Sequence, residues 1–185
     1  MTVSTIDPKP ALVVVDLQKG LAGAVPAGVT ERAARLARAF RARGLPVVLV
    51  NVTGGAAGRT EVTRSGRDQP RPAGFAELMD ELAATPDDIR VTKRRVSAFH
   101  DTGLDTHLRD LGVTQIVLAG VATGSGVEST ARSGRDYGYH VVVATDAVTD
   151  PDEVIHRHSV ERIFPKIGET GTAAEIIALL AGPER

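Results

Sequence analysis

The sequence predicts an α/β domain of three αβα layers, in which a mostly parallel sheet lies between helices on both faces. Three observations lead there. Short apolar runs such as Pro10 to Leu17, PALVVVDL, read as strands buried on both sides. Helical segments alternate with these runs almost throughout, and the connections are far too long for hairpins, which calls for right-handed βαβ crossovers. The 185 residues, 42% of them hydrophobic, suffice for one sizeable core and fall short of two, so residues 1–185 are read as a single domain.

The elements follow in chain order. Pro10 to Leu17 is a strand with Asp16 at its carboxyl end. Thr30 to Arg43 places Ala34, Leu36, Ala37 and Phe40 among arginines and stops at Gly44, as an amphipathic helix does. Pro46 to Val52 is a second buried strand. From Thr53 to Gly74 the chain is rich in Gly, Pro, Arg and Thr without a sustained period, and so long a connection reads as a lid or substrate-binding loop. Phe75 to Ala84 is expected to be a short helix. Asp88 to Thr92 is a strand that runs into Lys93, and Leu104, Leu108 and Leu111 have helical spacing before Gly112. A strand over 115–119, a helix over about 125–137, a strand from His140 to Ala144, a helix from about Pro151 to Phe164 and a last helix from Thr172 to Leu180 complete the reading.

Composition narrows the chemistry. A formal net charge of -1 leaves no basic surplus to hold nucleic acid or an anionic membrane, so small molecules are the expected partners. With no cysteine, disulfides, thiolate zinc sites and a cysteine nucleophile are excluded. The opening MTVSTIDPKP has no apolar core of signal-peptide length, and no apolar run approaches the ~18 residues of a membrane span, so a cytoplasmic location is expected.

In parallel sheets, ligands bind beyond the carboxyl ends of the strands. The residues to test are therefore Asp16, Asn51, Lys93, the turn from Val121 to Gly126, and Asp146. Asp16 follows three valines and is expected to be drawn partly out of water, which raises a carboxyl pKa unless a cation offsets it. Lys93 is the candidate cation. On the residues alone, a structural ion pair at the sheet edge is the more frequent explanation of such a pair. The turn matches neither a Walker loop nor G-x-G-x-x-G, so nucleotide binding is not expected. Ser125 lacks an evident base, since His100 alone of the five histidines lies in a candidate site loop. No close His/Asp cluster falls at the strand ends, so no metal is expected.

Four stretches then combine. Ala11-Leu12-Val13-Val14-Val15-Asp16-Leu17-Gln18, the run Thr92-Lys93-Arg94-Arg95-Val96-Ser97-Ala98-Phe99, the segment Gly120 to Ala131, and Gly138-Tyr139-His140-Val141 with Asp146-Ala147 and Asp150 occur in that order. Together they resemble the motifs of the isochorismatase-like hydrolase superfamily over nearly the whole chain. The resemblance implies a Rossmann-like sheet of about six strands, no cofactor, and a homo-oligomer of two or more copies. Most amidase members use an Asp–Lys–Cys triad, and the position matching the cysteine is Gly126. Glycine has no side chain to attack a carbonyl, so the covalent acyl-enzyme route is closed at this position.

The resemblance thus narrows to thiol-free members that cleave a vinyl ether by acid catalysis. It implies Asp16 as general acid and Lys93 as the group that orients and tunes it, while Gly126 is expected to leave room for ligand or water. It also implies a non-proline cis peptide joining Val121 to Ala122. Gln18, Asn51, Val121, Ala122, Ser125 and Phe99 are the expected substrate contacts; Gln18, Asn51 and Phe99 are as readily loop-stabilising residues or subunit contacts, and Ser125 an ordinary helix-start residue. The alternatives are an amide or ester hydrolase that uses bound water, and a non-catalytic relative that keeps the pocket for binding.

Overall fold

A computed structural model describes residues 2–55, 60–61 and 71–182. Most of the loop read as a lid lies outside these residues. Six parallel strands form one sheet: β1 (Pro10–Val15), β2 (Val47–Val52), β3 (Ile89–Lys93), β4 (Gln115–Val121), β5 (His140–Thr149) and β6 (Glu169–Gly171), in the order β3-β2-β1-β4-β5-β6. The order reverses between β1 and β4. A crevice opens outside the carboxyl ends of such a strand pair, which is where ligands bind in sheets of this kind.

Because side chains alternate across a strand, each central strand feeds two cores. On one face, Leu12, Val14, Leu49, Val117 and Val142 pack against α1 (Ala27–Arg41) and α6 (Ala173–Ala181). On the other, Val13, Val15, Val50, Leu118 and Val143 meet Leu108 of α2 (Leu104–Asp110), Ala131 of α3 (Glu128–Asp136) and Phe164, which opens α5 (Phe164–Ile167). All ten of these strand residues are at most 1% exposed. Full burial of a Val or Leu contributes about 1.5–3 kcal/mol, so these strands anchor the domain. Among the described residues, no helix is long and apolar enough to cross a membrane.

Several boundaries differ from the sequence reading for physical reasons. Phe75 to Ala84 is a turn followed by a short 3-10 segment, Asp80–Leu82, instead of a helix. Its backbone is taken up by the loop after β1: Lys19 N–H donates to Glu77 O (2.7 Å), Gly20 N–H to Phe75 O (3.0 Å) and Met79 N–H to Leu17 O (3.0 Å). β5 continues to Thr149 across a register shift between Leu118 and Gly120. The helix expected over 151–164 divides into α4 (Glu153–His158), a π-helical turn (Ser159–Ile163) and α5, where Pro165 begins a new helix. A π-helical turn, Thr123–Val127, likewise precedes α3. Such turns recur at functional sites.

Candidate active site

Three strand ends converge. β1 ends at Val15, and Asp16 takes a left-handed backbone (φ 55), which turns the chain sharply out of the sheet. Aspartate tolerates this conformation better than most residues, because its short polar side chain bonds locally. Beside it, Gly120 near the end of β4 has φ 126, and a Cβ there would lie 1.9 Å from Val15 O, so only glycine fits. This close approach brings the turn after β4 onto Asp16. The peptide joining Val121 to Ala122 is cis.

Lys93 closes the group from the last position of β3. Its Nζ lies 2.8 Å from Asp16 Oδ2 and donates to Val96 O (2.6 Å). Asp16 is 5% exposed and Lys93 2%. The second carboxylate oxygen, Oδ1, is buried without a hydrogen-bond partner among the described residues. Burial pushes the Asp16 carboxyl up to about 6 from the ordinary 3.8, against the pull of the Lys93 charge and hydrogen bond.

Gly126 is the third member. A Cβ on it would lie 3.1 Å from Lys93 Nζ, 3.2 Å from Asp16 Oδ2 and 3.2 Å from Val15 Cγ1. These distances are tighter than ordinary van der Waals contact, so a side chain at this position would require Lys93, Asp16 or Val15 to give by a few tenths of an ångström. Its carbonyl accepts from Thr130 Oγ1 (2.7 Å), which in turn accepts from Ala98 N–H (3.0 Å).

Comparisons with known proteins show the family. Residues 10–175 match the model of the Isochorismatase domain. The chain belongs to the isochorismatase family. It is 39% identical over 180 residues to the uncharacterized isochorismatase family protein YecD of Escherichia coli O157:H7, covering 92% of this chain and 95% of that one. It is 32% identical over 209 residues to the ureidoacrylate amidohydrolase RutB of Methylobacterium radiotolerans, covering 94% and 80%. A solved isochorismatase family protein from Burkholderia thailandensis superposes with a TM-score of 0.91 at 38% identity, covering 97% of this chain and 100% of that one. Isochorismatase family members are hydrolases, and this one has no cysteine.

The other sequence candidates lie apart from this cluster or are already engaged. Gln18 is fully buried, and its amide is spent on backbone: Nε2 donates to Val52 O (3.1 Å) and Phe75 O (2.9 Å), and Oε1 accepts from Val52 N–H (2.8 Å). Asn51 Nδ2 donates to Ala76 O (2.8 Å), and its Oδ1 is buried without a partner among the described residues. Phe99 stacks on Tyr139 and tilts against Tyr137 beyond the C-terminal end of α3, within the core instead of at the strand tips. Val121 is buried at the end of β4, Ala122 is half-buried, and Ser125 is exposed with its N–H on Ala122 O (3.0 Å). Asp146 joins helices: its Oδ1 accepts from Ala173 N–H (2.7 Å), and its Oδ2 faces Arg32 (3.4 Å).

Asp150 and His156 are the partners that the sequence reading left without a role. Asp150 Oδ2 accepts from Gly124 N–H (2.9 Å), and His156 Nδ1 shares a hydrogen bond with Thr123 Oγ1 (2.9 Å). Their partners are a backbone amide and a neighbouring hydroxyl, which no spacing of side chains announces. Among the described residues, no group of three or more His, Cys, Asp or Glu is placed to hold a metal ion.

Proposed function

We propose that this protein hydrolyses a small enol ether by general acid catalysis, with no covalent intermediate. The observation that carries the reading is a buried carboxyl with one oxygen held by an ammonium, the other without a partner among the described residues, and a pKa raised to about 6. Asp16 Oδ1 donates its proton to the terminal carbon of the enol double bond, leaving an oxocarbenium-like centre on the ether carbon. Water adds there, its surplus proton returns to Asp16, and the hemiketal collapses to a ketone and an alcohol. For an enolpyruvyl ether such as isochorismate, the products are pyruvate and a diol. Lys93 holds Oδ2 and keeps the proton on Oδ1.

Proton donation of this kind contributes about 10²- to 10⁴-fold. A pKa of about 6 leaves roughly one molecule in ten protonated at pH 7, which is sufficient for turnover. In this reading the enzyme is cytoplasmic, works as two or more copies, and makes its further substrate contacts through the turn from Val121 to Ser125.

A second reading has its own support. The similar RutB is named an amidohydrolase, so a bound water in place of the missing thiol could cut an amide here. Incubation with isochorismate and with simple amides separates the two. Pyruvate release that is abolished by Asp16→Asn supports the enol ether, whereas ammonia release without pyruvate contradicts it.

A further inference from the structure

We propose that Asp150 and His156 are positioning residues which clamp the turn bearing Gly126 against the Asp16–Lys93 pair. The inference rests on the acid role of Asp16 and deepens it. The turn, Thr123-Gly124-Ser125-Gly126-Val127, has two glycines in five residues and little side-chain mass, so its own sequence does not fix its shape. The clamp comes from α4 and the chain beside it. Asp150 Oδ2 accepts from Gly124 N–H, and its Oδ1 accepts from Asp152 N–H (3.1 Å). Asp152 in turn caps α4, accepting from Val154 N–H (2.9 Å) and Ile155 N–H (3.3 Å).

Further along α4, His156 meets the fully buried Thr123 hydroxyl. Beyond it, Ser159 is 1% exposed and donates to Glu128 Oε2 (2.7 Å). The three bonds reach positions 123, 124 and 128, on both sides of Gly126. Packing reinforces them, since a Cβ on Gly124 would lie 2.1 Å from Ile155 Cγ2. The helix therefore sits directly on the turn's backbone. Gly126 in turn stands against both charged groups of the site, so its position helps to set how dry Asp16 is. Lys93 is the charged group in contact with that carboxyl.

The test compares Asp150→Ala with Asp150→Asn, whose amide oxygen still accepts from Gly124, and with Thr123→Val, a volume-conserving change should Asp150→Ala fail to fold. Two signals are read on the free protein: the ¹³C titration of the Asp16 carboxyl, and hydrogen exchange at the Gly124 amide. Asp150→Ala is expected to speed Gly124 exchange and lower the Asp16 midpoint by about one pH unit as water reaches the site. Asp150→Asn keeps the midpoint near that of the wild type, and Thr123→Val falls between. Turnover of isochorismate at pH 6 is expected to fall about 10- to 100-fold in Asp150→Ala, as for a misplacement of about 1 Å. An Asp16 signal identical in Asp150→Ala and wild type while Gly124 exchanges faster would overturn the clamp, as would an equal change in Asp150→Asn. A wild-type midpoint at 3.8 would count against the acid role instead, leaving the contrast between the two Asp150 variants to judge the clamp.

Discussion

Among the described residues, two aspartates leave water and meet cations, and they are treated in opposite ways. Asp88 sits under Arg41, whose Nε and Nη2 donate to its two oxygens at 2.9 Å each, while Thr85 N–H adds a third bond at 2.6 Å. The guanidinium also donates to Leu82 O (3.2 Å). Both carboxylate oxygens are engaged, as the planar fork of arginine permits. Asp16 meets an ammonium, a point charge that reaches one oxygen at 2.8 Å and leaves the other without a partner among the described residues. Among the described residues, the Asp88 pair therefore has both acceptors satisfied and the Asp16 pair has one without a partner. The open oxygen separates the proposed acid from the ordinary sheet-edge ion pair that residue types alone would suggest.

The largest expected effect breaks the reactive pair. Asp16→Asn should slow pyruvate release from isochorismate by about 10²- to 10⁴-fold, read by a coupled assay at pH 6. The matching change at the other pair, Arg41→Ala, should leave turnover per folded molecule unchanged and cost about 3 kcal/mol in urea unfolding, because it strands a buried carboxylate. If Arg41→Ala slowed turnover as much as Asp16→Asn, the contrast between the pairs would dissolve.

Acidity gives an effect of similar size with a distinct sign. The folded-state pKa of Asp16, about 6, stands above its ordinary 3.8, so the folded protein holds a proton that the unfolded chain releases. Its contribution is full below pH 3.8 and is lost as pH rises through 6, by roughly 3 kcal/mol over the window. Urea unfolding at pH 4 and pH 7, wild type against Asp16→Asn, should show that loss in the wild type alone. The smallest effect is at Gly126. Gly126→Ala places a methyl group against Lys93, Asp16 and Val15 and should cost about 1–2 kcal/mol while loosening the 2.8 Å contact, measurable as a lower melting temperature.

Much of the fold was legible because hydrophobic runs report burial directly. Five strands could be read from apolar stretches, whereas β6, the three residues Glu169–Gly171, carries no apolar signal and exists because β5 offers an open edge to pair with. The expected helix over Phe75 to Ala84 failed because its backbone groups find partners in the loop after β1, a tertiary choice that local propensity does not see. At the site, Asp16 and Lys93 were legible because each stands at a strand end, a position fixed by the sheet, whereas Gly126 was singled out by the resemblance, as the position matching the family's cysteine. Gln18, Asn51 and Phe99 show the limit of that reasoning. Sequence places them near the strand tips, but their directions depend on backbone partners and on an aromatic cluster assembled from distant segments.

The central claim is that Asp16 is held as an acid near neutral pH, and the direct measurement is a ¹³C titration of its side-chain carboxyl in the wild-type protein. The expected midpoint is about 6, well above the ordinary 3.8 of a solvated aspartate. A midpoint at or below 3.8 would make the Asp16–Lys93 pair a structural salt bridge like Asp88–Arg41 and contradict the account.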